Sequence, residues 1–419
     1  MPTAPPEVAI LVSRLQQLLP PLLSLQRASW EQGTAAQALL ECHQFFSRSH
    51  IHSSDLPFDL LQYLYAFAYD TVVRQAPDGR LGTLLNGDGS SDLGAVDPAC
   101  IGESIYYVVV RAKESQDISA AGALEEGVGK MLQYLVEKCP RAPIPGSTGS
   151  DSNALLLSHR VDAVQIWSDT MYMLPPFLSS AALFHLNCGH THAPYDPRRL
   201  LSMSLQQVTL AAKVLQAESG EWSHIYDLSA HDFKRKAFWG VGNGWVCGGI
   251  MRILRSLVME AAIPASPLIQ LIRGDAELVG QLRQCYDILI VTVEACLRHV
   301  RPDGLLHDVV DDPSSFVETN LSQQLAYTLY RLLDFHLYDA PLPGVEIPRP
   351  SQETLDAWER MAGHLRDAAV AKTDAMGFIR DVCGSPSFDK PGTAAEGQAW
   401  GILMEVARAE FLCHGRTAK

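Results

Sequence analysis

Positive charge is scarce in this chain of 419 residues. It has 33 lysines and arginines against 47 aspartates and glutamates, which gives a formal net charge of −14 at pH 7. Binding to a nucleic-acid backbone depends on clustered Lys and Arg side chains, and the sequence shows no basic stripe. We therefore expect no nucleic-acid partner, although one local Arg is enough to bind a small anionic ligand.

Targeting signals and long apolar runs are also missing from the sequence. No apolar segment looks long enough to cross a bilayer, and the N-terminal stretch lacks both a basic leader and a small-residue cleavage site. The nine cysteines are unclustered and fall mostly within apolar helical patterns, which is typical of buried free thiols in a reducing compartment. These features favour a cytoplasmic protein that makes no contact with a membrane.

The chain has no linker rich in Gly, Ser and Pro that is long enough to separate two domains. The richest such stretch, Pro140–Asn153, is interpreted as a long surface loop. Since 47% of the residues are hydrophobic and only 19% are charged, much of the chain has to be buried. We expect a single domain over residues 1–419, with flexible termini at residues 1–6 and 414–419.

Apolar residues recur at helical spacing along most of the chain, whereas alternating strand patterns are few. The pattern predicts twelve helices, which form six helical hairpins in a closed (α/α)6 barrel, an all-α fold. The predicted spans are Glu7–Leu25, Ser29–Phe46, Asp55–Val73, Ala99–Lys113, Ile118–Lys138, Thr170–Phe184, Pro197–Ala217, Trp239–Ala261, Leu268–His299, Phe316–Leu337, Gln352–Thr373 and Thr393–Leu412.

Consecutive antiparallel helices alternate in direction, so the N-termini of the even-numbered helices share one rim of such a barrel. Nearly every motif-like cluster in the sequence falls at or just before these N-termini. The clusters are Trp30-Glu31-Gln32, Asp97, Trp167 with Asp169, Trp239–Trp245, Phe316–Asn320 and Thr393–Gln398. We therefore expect the functional site at this rim.

The stretch Arg160–Phe177 (RVDAVQIWSDTMYMLPPF) places a carboxyl, Asp169, between Trp167 and an apolar run. Desolvation or a neighbouring like charge keeps such a carboxyl protonated near neutral pH, which is what a proton donor needs. A second carboxyl, Asp97, precedes another even-numbered helix in AVDPACIGES. For both aspartates the sequence leaves open a purely structural role as a helix cap or turn residue.

The motif WGVGNGW, Trp239–Trp245, opens another of these helices with three glycines around Val241 and Asn243. It lacks the spacing of a dinucleotide fingerprint, and no strand leads into it. Glycines let backbone approach a ligand closely and Trp rings offer flat walls to a sugar, but a close helix crossing with buried Trp explains the pattern equally well.

Three further groups of residues have two interpretations each. His224, in EWSHIYD before the WGVGNGW helix, is either a ligand-binding residue or an ordinary surface histidine. Glu318 and Glu396 each open a late even-numbered helix, where a Glu either caps the helix or lines the cavity. The run HLNCGHTH has the spacing of metal ligands, but no second cluster completes a site. Its Cys188-Gly189 break also matches a helix C-terminus, where His is favourable. The possible ligands in this run are His185, Cys188, His190 and His192. We expect no metal and no cofactor.

The motifs SWEQGTAAQALLE, VDPACIGESI, WSDTMYMLPPF, WGVGNGW, FVETNLSQQLAYTLYR and GTAAEGQAW occur in this order. Together they resemble glycoside hydrolase families 88 and 105, the unsaturated glucuronyl and unsaturated rhamnogalacturonyl hydrolases, from about Ser29 to Glu405. The spellings are most similar to fungal members of the second family. The resemblance implies an (α/α)6 barrel that needs no cofactor. We expect a monomer or a homodimer. Its substrates would be pectin-derived oligosaccharides with a 4,5-unsaturated uronic acid at the nonreducing end.

By position, the resemblance also implies roles for individual residues. Asp169 matches the residue that protonates C4 of the unsaturated sugar and activates the water that adds at C5, after which the hemiketal opens and releases the next sugar. Asp97 matches the second active-site carboxylate. The expected substrate-binding residues are Trp167, His224, Trp245, Trp239, Trp30, His159, Asn243 and Glu318.

One position departs from the family pattern. Val241 stands where bacterial members often have an Arg that helps to hold the substrate, and such a charge-assisted contact is typically worth about 1.5–3 kcal/mol. Either another donor binds the uronate, with Lys234, Arg235 and Lys236 as candidates just upstream, or the substrate is different. The alternatives are therefore a barrel recruited to another small-molecule reaction, for example in secondary metabolism, or a barrel that only binds a ligand.

Overall fold

The computed structural model describes residues 5–27, 29–83, 92–146, 154–189, 196–338 and 341–417. Helices dominate this part of the chain, and most connections run between consecutive helices. The helices are α1 (Pro6–Leu25), α2 (Ser29–Arg48), α3 (Leu60–Val73), α4 (Gly102–Glu114), α5 (Ile118–Gln133), α6 (Thr170–Met173), α7 (Pro175–Asn187), α8 (Pro197–Leu215), α9 (Gly240–Ala261), α10 (Pro267–Arg273), α11 (Ala276–Leu297), α12 (Asn320–Phe335), α13 (Gln352–Val370) and α14 (Ala395–Thr417).

Six of these helices close an inner ring. In ring order they are α2, α4, α7, α9, α12 and α14, and each packs against the next, with α14 returning to α2. The outer layer covers them: α1 packs on α14, α3 on α2 and α4, α5 on α4, α8 on α7, α11 on α8 and α9, and α13 on α12. This closed double ring confirms the predicted (α/α)6 barrel.

Most helix boundaries agree with the prediction, but two predicted helices are each split. Pro175 starts a new helix after Leu174, because proline lacks an amide hydrogen and is accommodated best in the first turn. The second break follows Arg273, where the Asp275 carboxylate accepts hydrogen bonds from the amides of Glu277 and Leu278 and caps α11.

The described residues also contain nine short strands, which add to the predicted all-α architecture without changing it. They form four small antiparallel sheets, paired as β1-β2, β3-β4-β5, β6-β7 and β8-β9. Strands of two to six residues are too short to show a clear alternation of apolar and polar positions. Their bounds are β1 (Arg141–Pro143), β2 (Leu155–Leu157), β3 (Gln165–Trp167), β4 (Ile225–Asp227), β5 (Asp232–Arg235), β6 (Leu306–His307), β7 (Val317–Glu318), β8 (Val382–Gly384) and β9 (Ser387–Gly392).

The interior of the inner ring contains a cluster of four aromatic side chains. Trp400 lies with its ring centroid 5.3 Å from Tyr172, 5.5 Å from Trp245 and 5.4 Å from Tyr327. Tyr172 and Trp245 also contact each other at 4.7 Å. All four side chains are almost completely buried, so the barrel has a packed centre rather than an open channel.

Helix α1 corrects the expectation that no apolar run is long enough to cross a bilayer. By length and composition alone it passes that test, with a mean hydropathy of 1.4. In the structure α1 packs on α14 and buries Leu11, Leu15, Leu18 and Leu22, so its apolar face contributes to the barrel. The single domain and the flexible termini stay predictions; α14 runs to Thr417, whereas residues 1–4 and 418–419 lie outside the described part.

Candidate active site

The N-terminal ends of the inner helices surround a cavity of about 580 Å³, a size typical of small-molecule sites. Eight of the ten predicted site residues line it, and the exceptions are Asn243 and Glu318. The lining residues are Trp30, Asp92, Gly94, Asp97, His159, Arg160, Trp167, Asp169, Met173, His224, Ile225, Arg235, Trp239, Val241, Trp245, Cys383, Phe388 and Glu396.

Backbone hydrogen bonds tie together the segments that carry the polar lining residues. The Ala95 amide donates to the carbonyl of His159 at 2.8 Å, and the His159 amide donates to the carbonyl of Gln165 in β3 at 2.7 Å. Past the end of β3, the Ser168 amide donates to the carbonyl of His224 at 2.9 Å. Three segments that are distant in sequence are thereby held as one wall of the cavity.

That wall carries two aspartate–histidine pairs on either side of a tryptophan. His224 Nε2 lies 3.2 Å from Asp169 Oδ2, and His159 Nε2 lies 3.3 Å from Asp97 Oδ1. The His159 ring stacks on Trp167 with centroids 4.5 Å apart, and the His224 ring meets Trp167 edge-on at 5.5 Å. Both predicted carboxyls therefore face one cavity, each with its own histidine.

Asp169 does not cap the helix that follows it. It stands at the start of α6, but its side chain accepts no hydrogen bond from the amides of that helix. Burial raises the pKa of Asp169, but the close His224 ring and, less strongly, His159 outweigh burial, so the pKa lies below its ordinary value. This direction is opposite to the expectation that Asp169 is kept protonated near neutral pH.

The pKa of His159, the partner of Asp97, is shifted in the opposite direction. Burial lowers the pKa of His159, but the Asp97 carboxylate, with a smaller contribution from Asp169, outweighs burial and raises it above its ordinary value. The other ring nitrogen, Nδ1, lies 3.0 Å from the hydroxyl of Thr170. A cationic His159 is therefore favoured between the two carboxylates.

One of the three basic residues proposed as substitutes for the missing Arg reaches the cavity. Cross-strand pairing in the β3-β4-β5 sheet sets Trp167 beside Ile225 and Ile225 beside Arg235, and all three line the cavity. Lys234 and Lys236 are exposed and are not among the lining residues.

Both interpretations of the WGVGNGW motif, ligand binding and close packing, apply to different residues of it. Trp239 and Trp245 line the cavity, whereas the glycines permit close packing. A Cβ atom at Gly242 would lie 2.4 Å from the Ser168 hydroxyl oxygen, and one at Gly244 would lie 1.8 Å from Gln324 Oε1. The two Trp residues thus line the cavity, whereas Gly242 allows close packing against the turn at Ser168 and Gly244 allows close packing against α12.

Asn243 and Glu318 do not line the cavity, and the polar atoms of both side chains bind the backbone. The Asn243 side chain accepts from the Trp222 amide at 2.7 Å and donates to the Trp222 carbonyl at 3.1 Å. Glu318 accepts from the amides of Asn320 at 2.6 Å and Leu321 at 2.8 Å, at the start of α12. Burial raises the pKa of Glu318 to about 8. Asn243 also donates to the carbonyl of Trp239 at 2.9 Å, and Glu318 accepts from the amide of Cys383 at 3.1 Å, so each binds the backbone of a residue that lines the cavity.

Glu396, Asp92 and Phe388 also line the cavity, and the sequence carries no signal that would single out Asp92 or Phe388. Glu396, considered only as a cap or wall residue, accepts a hydrogen bond at 2.8 Å from the Trp30 ring nitrogen. Burial, followed by repulsion from Glu31, raises the pKa of Glu396 to about 7. Asp92 is partly buried, which raises its pKa, and Phe388 reaches the cavity from the β8-β9 hairpin.

One group of side chains in the described part of the chain, Asp334, Glu410 and His414, has the spacing of metal ligands. Glu410 in this group is ion-paired with Arg48 and Arg331, which accounts for its charge. Two members of the run HLNCGHTH, His190 and His192, lie outside the described residues.

Sequence comparison identifies two matches with this chain. The model of the family Glycosyl Hydrolase Family 88 matches residues 124–335. The unsaturated rhamnogalacturonyl hydrolase YesR of Bacillus subtilis (strain 168) is 26% identical over 212 residues, which cover 49% of this chain and 50% of that protein. The chain therefore matches about half the length of this curated relative.

Solved structures with the same fold cover almost the whole chain. A possible member of the GH105 family from Klebsiella pneumoniae superimposes with a TM-score of 0.63 at 15% identity, covering 98% of this chain and 94% of that one. The unsaturated glucuronyl hydrolase of Bacillus sp. GL1 gives a TM-score of 0.54 at 14% identity, covering 93% and 88% of the two chains.

Proposed function

Because this chain belongs to glycosyl hydrolase family 88, we propose that it hydrolyses oligosaccharides that carry a 4,5-unsaturated uronic acid at the nonreducing end. The observation that carries the proposal is the cavity wall with its two aspartate–histidine pairs around Trp167. Four Trp side chains line the same cavity, and aromatic rings provide the flat apolar surfaces on which sugar rings stack.

The proposed reaction is hydration of the enol ether. Asp169 in its protonated form gives its proton to C4, and the electron pair of the C4–C5 double bond forms the new C–H bond. Water then attacks C5 and returns a proton to Asp169, so the carboxyl ends the cycle as it began. The resulting hemiketal opens and releases the next sugar. One positioned acid–base residue typically contributes 10²–10⁴-fold to the rate.

The rhamnogalacturonyl type of substrate, derived from pectin, is the more specific part of the proposal. The matched relative is named for that activity, and the cavity volume of about 580 Å³ is large enough for a disaccharide. Substrates made by a pectin lyase are therefore the first to test.

The test follows the ultraviolet absorbance of the unsaturated uronate, which disappears when the double bond is hydrated. Wild-type protein is expected to remove this absorbance from lyase-generated disaccharides, and Asp169→Asn is expected to slow it by roughly 10²–10⁴-fold. Asp232→Asn, at an exposed position on β5, is the control that keeps the wild-type rate. If the wild type leaves all such disaccharides unchanged, the proposed activity is wrong.

A second candidate is a different small-molecule reaction in the same barrel. Val241 and Phe388 favour it, because they extend the apolar part of the cavity wall. Binding of small aromatic compounds, with no turnover of unsaturated disaccharides, would support this alternative.

A further inference from the structure

Two arginines line the cavity, and their surroundings differ. Arg160 forms a two-pronged ion pair with Asp162, with its Nε atom 2.8 Å and its Nη2 atom 3.0 Å from the two carboxylate oxygens. Arg235 pairs with no carboxylate of the described residues. An anionic ligand would therefore have to displace Asp162 from Arg160, whereas Arg235 offers its charge without such a competitor.

Arg235 is nevertheless held in place. Its Nη1 atom lies 3.1 Å from His224 Nδ1, and its guanidinium carbon lies 5.7 Å from the centre of the Trp239 ring. An Arg side chain has five N–H donors in a rigid planar fork, and in the described residues only Nη1 makes a hydrogen bond. The edge formed by Nε and Nη2 remains for a ligand.

The site otherwise contains several acidic groups. Asp92, Asp97, Asp169 and Glu396 all line the same cavity, so an anion would be repelled from most of its wall. Nearby Asp308 accepts a hydrogen bond from the Trp239 ring nitrogen at 2.9 Å. The other basic side chains of the wall, His159, Arg160 and His224, are each already paired with an aspartate. Arg235 is consequently the position at which a negative group of a ligand is best accommodated.

We propose that Arg235 binds the carboxylate of the terminal uronic acid through Nε and Nη2 while Nη1 keeps its contact with His224. This inference rests on the proposed function and adds the residue that selects the acidic sugar. Because Arg235, His224 and Asp169 follow one another in contact, the carboxylate would be bound at a fixed place relative to Asp169. Arg235 on β5 thus supplies the positive charge that is missing at Val241.

The experiment compares the unsaturated disaccharide with its methyl ester, which differs by one added methyl group and carries no negative charge. Wild-type protein is expected to prefer the free acid in kcat/KM. Arg235→Met is expected to lower kcat/KM for the acid by roughly 10- to 150-fold, the range for a lost charge-assisted hydrogen bond, and to abolish the preference over the ester. Arg235→Lys keeps the charge without the planar fork and should retain part of the preference.

Lys236→Met is the matched control, because it removes a positive charge from the neighbouring exposed position that does not line the cavity. It should leave the preference for the acid unchanged. The inference is overturned if Arg235→Met keeps the wild-type preference or if Lys236→Met removes it. Circular dichroism and thermal melting verify that each variant is folded.

A binding measurement separates failure of this inference from failure of the proposed reaction. If the wild type turns over neither compound, the proposed reaction fails, and calorimetric titration with the same acid and ester decides the inference by itself. Tighter binding of the acid by the wild type, lost in Arg235→Met, supports the role of Arg235. Equal binding of acid and ester by the wild type overturns it.

Discussion

His224 contacts Arg235 with one ring nitrogen and Asp169 with the other. Nη1 of Arg235 lies 3.1 Å from Nδ1, and Oδ2 of Asp169 lies 3.2 Å from Nε2. A guanidinium group can only donate hydrogen bonds, so Nδ1 has to accept and the proton of the imidazole belongs on Nε2, towards the carboxylate. The arrangement of these three residues thus fixes the tautomer of His224.

The first prediction concerns the pH dependence of turnover. Asp169 has a lowered pKa, and in the proposed reaction its protonated form gives a proton to C4. We therefore expect kcat/KM to fall as the pH rises above the pKa of Asp169. Replacing His224 by Asn removes the group that most strongly opposes the effect of burial, so the pKa of Asp169 should rise and the decline should move to higher pH.

His231→Asn is the matched control for this measurement. His231 is an exposed residue with a positive φ of 54° in the turn between β4 and β5, a conformation that Asn tolerates well. Its pH–rate profile should coincide with that of the wild type. A His224→Asn profile that declines at the same pH as the wild type, or at lower pH, would contradict the assigned cause of the shift.

The second prediction concerns the stability contributed by the pair of Asp97 and His159. The pKa of His159 is raised in the folded state, so the pair stabilises the protein fully below the unfolded pKa of about 6.5. This stabilisation is lost as the pH rises through the folded pKa. The difference in Tm between wild type and Asp97→Asn should be large near about pH 6 and should shrink towards about pH 9.

Asp162→Asn provides the comparison, because it removes an ion pair with Arg160 in which the Asp162 side chain is 45% exposed. Exposed pairs contribute only about 0–1 kcal/mol, so its effect on Tm should be small at every pH. If the Asp97→Asn difference grows with pH instead, His159 does not carry the raised pKa.

The fold was predictable from the sequence because the helices are long and well marked. The apolar spacing located all the inner helices, and the alternation of hairpins placed Asp97 and Asp169 on one rim before any distance was known. The pairing of each aspartate with a histidine was not predictable. His159 and His224 come from separate segments held together by backbone hydrogen bonds between irregular stretches, which leave no periodic pattern.

Two further differences between the sequence prediction and the structure have local physical causes. Arg235 could not be distinguished from Lys234 and Lys236 by sequence, because only the register of a four-residue strand decides which of them faces the cavity. Glu318 was placed at the site because it opens an inner helix, and the same position lets it accept hydrogen bonds from the helix amides instead.

The third prediction uses Glu396, whose pKa rises to about 7 in the folded protein from an ordinary value of 4.5. Between these two pH values the folded state binds more protons than the unfolded state, so stability decreases as the pH rises. Glu396→Gln cannot ionise and keeps an oxygen for the Trp30 ring nitrogen. Its free energy of unfolding, measured in urea, should therefore increase relative to the wild type from about pH 5 to about pH 7.

Glu353→Gln is the control for a carboxyl in solvent, because Glu353 is exposed in the first turn of α13. The difference in the free energy of unfolding between Glu353→Gln and the wild type should not rise with pH in this way. A constant difference between wild type and Glu396→Gln over this range would show that Glu396 ionises as freely in the folded state as in the unfolded state.

The last prediction tests whether Trp400 positions a cavity residue in addition to stabilising the fold. Trp400 is completely buried among Tyr172, Trp245 and Tyr327, so Trp400→Ala should lower the free energy of unfolding by about 3–5 kcal/mol. Because Trp245 also lines the cavity, the loss of its neighbour should raise KM for the unsaturated disaccharide. Trp358→Ala removes a buried Trp of the outer helix α13, which should destabilise the protein while KM stays at the wild-type value. Equal changes in KM for the two variants would mean that the aromatic centre of the barrel does not position Trp245.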